Sequence, residues 1–327
     1  MKAAVYCDYG PPEVLHVEDV AKPVPNDDQI MVKIHAASVN PLDWHFVRGT
    51  PYVARALAMG MRKPKSTLLG TDYAGTVEAV GKNVTEFKPG DEVFGGKSGT
   101  FAQYVCARAD RAVVLKPADA TFEQAAAIPI AAVTALQALR DKGKLQAGQN
   151  VLINGASGGV GTFAVQIAKA LGASVTGVCS GRNVEMVRSL GADQVIDYTK
   201  QDFTKSSERY DVILDNVGNQ PLSGIRSVLT SVGRCVLVGG GGPNDQGLIA
   251  PMDRPLKGYL SSLFSKQKIG FFVADLNKKD LTLLADMMQS GKLKSVIDRT
   301  FKLDEIVAAI GYLEQGHARG KVVIAID

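Results

Sequence analysis

The segment VLINGASGGVG, residues 151–161, leads from an apolar run into a stretch in which four of seven residues are glycine. Ordered glycine costs backbone entropy, so such a cluster marks a tight turn or a close approach to the main chain. Its setting narrows the choice. NVLING before it reads as a strand, and VGTFAVQIAKALG after it repeats apolar residues at helical spacing. Beyond lie the strand candidates SVTGVC, DQVID, YDVILDNV, GRCVLVG and KIGFFVA, separated by helical stretches such as EMVRSLG. Six short apolar strands joined by crossovers bury both faces in a doubly wound parallel sheet, the Rossmann arrangement.

Within the glycine stretch, Ala156, Gly158 and Gly161 take the first, third and sixth positions of a dinucleotide-binding fingerprint, with Ser157, Gly159 and Val160 between them. The chemistry asks for a tight turn, then bare backbone whose N–H groups meet a pyrophosphate, then a small residue where helix and strand pack closely. The second strand ends VCSGRN, and its first acid is Glu185. An NAD site places an acid near this strand end for the ribose 2′-hydroxyl. Here Ser180 and Arg182 stand instead, and a guanidinium suits a 2′-phosphate. The expected cofactor is therefore NADPH.

The first 120 or so residues have a different rhythm. QIMVKIHAASV, DYAGTVEAVG, DEVFGG and FAQYVCA read as short β segments separated by turns such as KPGD. An alanine-rich helical pattern starts after Thr121, a candidate N-cap. The tail reads helix, strand, helix, strand. With 327 residues, two domains are expected. Net charge is only +4, and no basic run exceeds RKPK at 62–65, so nucleic acid is not an expected partner. The apolar stretch at 125–139 carries Pro129, Thr134 and Gln137 and is too short to span a bilayer. Cys7, Cys106, Cys179 and Cys235 are scattered, and the first residues lack a signal-type apolar region. A cytoplasmic protein with reduced thiols is the expectation.

SVNPLDW (38–44), GTDYAGTVEAVG (70–81), FKPGDEVFG, AAAIPIAAVTALQAL, GASGGVGTFAVQIAKALGA, LGADQVIDY and GHARGKVVI (316–324) carry an end-to-end resemblance. The chain resembles the medium-chain dehydrogenase/reductase superfamily, in its zinc-free quinone oxidoreductase branch; chloroplast-envelope quinone oxidoreductase homologues share the NP-x-DW and RN features most closely. The resemblance implies a GroES-like β-barrel catalytic domain at 1–124 and 274–327, with a Rossmann domain inserted at 125–273. Zinc-dependent relatives have a cysteine where this chain has Asn40, and GHE where it has Gly70-Thr71-Asp72. Residues 130–134 hold no thiol, and only Cys106 falls between residues 90 and 116. His16, His35, His45 and His317 show no metal spacing, so no metal is expected.

Without a Lewis acid, a quinone or an enone is the acceptor that asks least, because its π-system spreads the developing charge. By resemblance, Asn40 orients the region where zinc would sit and Asp43 supports that loop. Tyr52 matches a tyrosine whose hydroxyl can donate to the substrate oxygen, and His45 is a second possible donor. Thr134 is expected on the nicotinamide mononucleotide half and Tyr198 near the 2′-phosphate. Asn216, Val217, Gly218, Gly239 and Gly240 end strands on the ligand side of the sheet, and Phe272 and Val273 should pass the nicotinamide. The expected partners are a small quinone or enone and a second copy of the chain. An enoyl-thioester reductase and a non-catalytic NADPH-binding protein remain as alternatives. Two basic segments, 52–65 and 254–268, could be a lid, a peripheral membrane contact or plain surface.

Overall fold

The computed structural model describes residues 1–239, 253–263 and 265–327, the side chains of residues 57, 58, 253, 255 and 263 aside. The chain divides into two compact units, Met1–Val133 with Leu276–Asp327, and Thr134–Asp275.

In the first unit the alternating segment Gln29–Val39 forms one long strand and becomes the hub of a seven-stranded sheet. One edge pairs antiparallel with Asp72–Val80, and the other with Tyr104–Arg108 and Lys321–Ala325. Glu92–Gly96 and Val113–Leu115 extend the sheet on one side and Ile297–Lys302 on the other. Ile30, Val32 and Ile34 from the hub meet Tyr73, Phe101, Ile310 and Ile324 in a common core with Trp44 and Val47. The last two come from the helix Pro41–Arg48, which starts where the hub strand ends and stops at Gly49, whose φ of 61° is left-handed.

The alanine-rich run is capped as its sequence suggests. Thr121 Oγ1 accepts from the Gln124 N–H at 3.2 Å, and Gln124 Oε1 accepts from the Thr121 N–H at 3.0 Å. It is not one helix, however. Phe122–Ala126 stops, and Pro129–Gln137 begins with the proline, which has no N–H to continue the ladder.

In the second unit all six expected strands form. Their order is Gln194–Asp197, Ser174–Cys179, Asn150–Asn154, Tyr210–Asp215, Leu229–Leu237, Lys268–Phe271, and every neighbouring pair is parallel. Strand order therefore reverses at Asn150–Asn154, whose following helix is Gly159–Ala170. Such a reversal opens a crevice beyond the strands' carboxyl ends. Among the described residues, no helix is long and apolar enough to cross a membrane. The two basic segments form short helical turns, Tyr52–Ala54 and Arg55–Met59, and the helix Asp253–Leu263 with the strand Lys268–Phe271.

Candidate functional site

In the first unit the hub strand delivers Ser38, the N-cap of the helix after it Asn40, the neighbouring strand Asp72, and the strand Lys321–Ala325 its first residue, Lys321; all four are buried. Asn40 Nδ2 donates to Asp72 Oδ2 at 2.8 Å and to the Ser38 carbonyl at 3.3 Å, while its Oδ1 accepts from Lys321 Nζ at 2.6 Å. Asp72 also accepts from Ser38 Oγ at 2.8 Å and the Ile130 N–H at 3.0 Å, with Lys321 Nζ 3.6 Å away. These donors are the set an ionised carboxylate takes, and they oppose the upward push of burial on its pKa. Burial likewise lowers the Lys321 pKa, and Asp72 opposes it.

The amide of Asn40 is thus spent on both sides, so Asn40 shapes this region without a free group to offer. Asp43 is equally enclosed. Its Oδ2 accepts from the Asn40 N–H at 2.7 Å, while Oδ1 is buried without a partner among the described residues. Burial raises its pKa to about 7. The donors present do not fit a zinc ion: an amide already saturated, a threonine at 71, and a lysine ammonium beside the carboxylate. Among the described residues, no three His, Cys, Asp or Glu side chains gather as a metal site would need.

His45 and Tyr52 lie outside this knot. His45 stacks on Trp44, ring centroids 3.7 Å apart, with Nδ1 3.1 Å from the Thr50 carbonyl. Nδ1 also lies 3.3 Å from Thr50 Oγ1, so it can donate to the carbonyl in one tautomer or accept from the hydroxyl in the other. Burial lowers the His45 pKa, and the hydrogen bond to the Thr50 backbone opposes it. Tyr52 is partly exposed. The Arg55 guanidinium lies between the Tyr9 ring at 4.1 Å and the Tyr52 ring at 4.8 Å, and donates to the carbonyls of Gly49 and Arg48. Among the described residues the Tyr52 hydroxyl has no hydrogen-bond partner.

In the second unit the glycine stretch takes the shape its sequence calls for. A Cβ on Gly161 would stand 2.1 Å from the Gly155 carbonyl oxygen, so helix and loop are packed too closely for any side chain. Ala156 is buried, its N–H on the Val178 carbonyl of the second strand at 3.0 Å. Gly158 is different. A Cβ there would meet only Gly155 O, at 3.5 Å, so the protein's own packing does not demand glycine. It caps the helix that starts at Gly159, whose first N–H groups, with Val160 next, have no intrahelical acceptor. An open cradle of this kind fits a pyrophosphate.

At the end of the second strand, Asn183 Nδ2 donates to Ser157 Oγ at 3.0 Å and Ser180 Oγ at 3.2 Å; Arg182 beside it is exposed. A carboxylate is also near, from the adjacent strand. Asp197 accepts from Thr199 Oγ1 at 2.7 Å and Thr199 N–H at 3.0 Å, and the Thr199 hydroxyl leads in holding its pKa low. Tyr198, next to it, is exposed. Asp215, wholly buried, accepts from Asn154 Nδ2, from the N–H groups of Val217 and Gly218, and from Arg254 at 2.7 Å. Asn216 Nδ2 donates to the Asn154 carbonyl. Gly239 is demanded by packing, since its Cβ would lie 2.0 Å from Asn216 O; Gly240 lies outside the described residues. Thr134 is buried at the start of this unit, Phe272 is half-buried and Val273 exposed.

Sequence reasoning missed Lys321, Asn183, Asp197 and the Asp215–Arg254 pair. Lys321 left one trace, a lone charge opening the apolar strand KVVIA. Asn183 left none beyond its place after Arg182.

A doubly wound sheet with a bare-backbone loop opening its first helix defines a dinucleotide-binding protein. Family comparisons narrow this. Residues 26–118 match the alcohol dehydrogenase GroES-like domain and residues 190–324 the family described as zinc-binding dehydrogenase. The 2-methylene-furan-3-one reductase of Solanum lycopersicum is 36% identical over 99% of this chain and 79% of its own. The mitochondrial NAD(P)H oxidoreductase RTN4IP1 of Homo sapiens is 37% identical over 100% and 89%. The quinone oxidoreductase structure from Coxiella burnetii superposes with a TM-score of 0.86 at 33% identity, covering 100% of this chain and 99% of that one. The chain belongs to the medium-chain dehydrogenase/reductase superfamily, in its zinc-free quinone oxidoreductase branch, and is an NAD(P)H-type oxidoreductase.

Proposed function

We propose that the protein is an NADPH-dependent reductase that delivers hydride to quinones or α,β-unsaturated carbonyls. The observation that carries this reading is the pairing of an open Gly158 cradle with a polar knot whose cation is Lys321 rather than a metal. The name of the tomato relative points the same way, since a methylene group conjugated to a ring ketone is an enone.

When bound, the nicotinamide supplies the hydride. The protein's part is to hold the acceptor and steady its oxygen. Tyr52, braced by Arg55, presents a hydroxyl that can donate to that oxygen as negative charge builds there. His45, anchored through Nδ1 at Thr50, is the second candidate donor. The Asn40–Asp72–Lys321 knot holds the loop from which the helix Pro41–Arg48 departs. Ser180 and Arg182 favour NADPH over NADH, and Asp197 is already engaged by Thr199. The acting form is a homodimer.

NADPH consumption against a panel of enones, quinones, enoyl thioesters and simple alcohols tests the reading. Turnover of enones or quinones with NADPH is expected, and negligible alcohol oxidation. Tyr52→Phe should lower kcat on an enone by about 10²–10³-fold while NADPH affinity stays put. Arg182→Ala should weaken NADPH by about 10- to 150-fold and hardly touch NADH. Fast alcohol oxidation with no turnover of any conjugated acceptor would overturn the assignment. Turnover of enoyl thioesters alone would move it to the thioester class.

A further inference from the structure

We propose that Asn183 is the positioning residue that turns the Ser157 and Ser180 hydroxyls outward as paired donors, and so sets the preference for a phosphomonoester on the adenine ribose. This rests on the NADPH reading above and names a residue that reading does not use.

The argument starts from how hydrogens are shared. An amide nitrogen carries two hydrogens. Asn183 spends one on Ser157 Oγ at 3.0 Å and the other on Ser180 Oγ at 3.2 Å. Each serine oxygen thereby accepts from inside the protein. Neither hydroxyl hydrogen can then point inward at that nitrogen, because a donor does not face a donor. Both serines are partly exposed, so their hydrogens are directed to whatever lies outside.

Asn183 itself is only 4% exposed, and its Oδ1 is buried with no partner among the described residues. The amide turned the other way would bury two unmatched N–H hydrogens in place of one unmatched oxygen, a costlier arrangement. It would also draw both serine hydrogens inward, onto Oδ1. The observed orientation is therefore the one that leaves donors for a ligand.

What lies outside must be rich in acceptors. Ser157 belongs to the glycine loop and Ser180 to the end of the second strand, so a single amide ties two separate segments into one donor pair. A phosphate monoester offers three acceptor oxygens and, when dianionic, no hydrogen. A ribose hydroxyl offers one oxygen that must also place its own hydrogen, and Asp197, the nearby carboxylate, is already bonded to Thr199 through Oδ1. The pair therefore discriminates by chemistry: two outward donors strengthen with a charged acceptor and gain little from a neutral hydroxyl.

The test is a binding experiment on the full chain, by calorimetry, with NADPH, NADH, 2′,5′-ADP and 5′-AMP. In Asn183→Asp, a carboxylate of nearly the same shape accepts from both serines and turns their hydrogens inward. NADPH and 2′,5′-ADP should weaken about tenfold or more, while NADH and 5′-AMP stay within about twofold. Asn183→Ala frees the hydroxyls to rotate and should lower the NADPH-to-NADH affinity ratio by a smaller factor. That smaller effect should vanish when Ser157 and Ser180 are already alanine, a dependence that a general loss of packing would not show. If the unaltered protein binds NADPH and NADH equally, the cofactor reading fails and this inference with it. If the unaltered protein prefers NADPH but both Asn183 variants keep its ratio, or lose both nucleotides alike, the inference alone is overturned.

Discussion

Asp43 shows how much a single buried carboxyl can bias this protein. Its pKa is raised to about 7, first by burial and further by Asp72, with the Asn40 N–H and Lys321 opposing. Unfolded, it titrates near 3.9. Between those values the fold holds a proton that the unfolded chain has released. The group's stabilising contribution is therefore complete below about pH 4, falls as pH rises towards 7, and is flat above. Across that window the slope is about 1.4 kcal/mol per pH unit. Asp43→Asn keeps an oxygen for the Asn40 N–H but cannot ionise. The melting temperature of the variant, relative to the unaltered protein, should rise from pH 5 to about pH 7 and level off above it. A difference that does not change with pH would show that Asp43 titrates in the ordinary range. At this scale the sequence was only partly legible. Ser180 and Arg182 stand out in the sequence because what they suggest depends on local position alone. Lys321 does not, since its partner Asn40 lies 281 residues away and no local pattern marks a lysine that will be buried.

At the scale of elements, the glycine loop was the most legible feature, because strand, turn and helix share one short stretch. Its glycines nevertheless do different work, and two substitutions separate them. Gly161→Ala drives a methyl into the Gly155 carbonyl and should cost about 1–3 kcal/mol or more, read as a lower melting temperature. Gly158→Ala meets no such wall, and its φ of −85° suits any residue. It should leave stability nearly unchanged and still weaken nucleotide binding severely, because the methyl occupies the cradle. Equal melting losses in the two would mean that Gly158 is a packing glycine. The six parallel strands were legible for a related reason: strands buried on both faces are continuous apolar runs, bounded here by glycine and aspartate. The break at Pro129 was obscured by the helical propensity of the alanines on both sides.

For the whole molecule, the outer strand Lys268–Phe271 has a single neighbour in its sheet among the described residues. Around it Leu256, Tyr259, Leu260, Phe271 and Val273 are exposed, Val273 by 81%. Unpaired strand edges with apolar neighbours favour association. Light scattering should give twice the chain mass, and Phe271→Glu should shift it to that of one chain; a single-chain mass for the unaltered protein would refute the homodimer. Composition and periodicity alone do not mark a split first unit, which is assembled from distant parts of the chain. That assembly matters for how the protein is made. The strand Lys321–Ala325 sits between Ile297–Lys302 and the hub Gln29–Val39. On the ribosome, the hub must wait with half of one edge bare until residue 321 has emerged, whereas Thr134–Asp275 is contiguous and can close much sooner. The part of the chain synthesised first is therefore the part finished last, and it is the newly made amino-terminal half that would engage a chaperone.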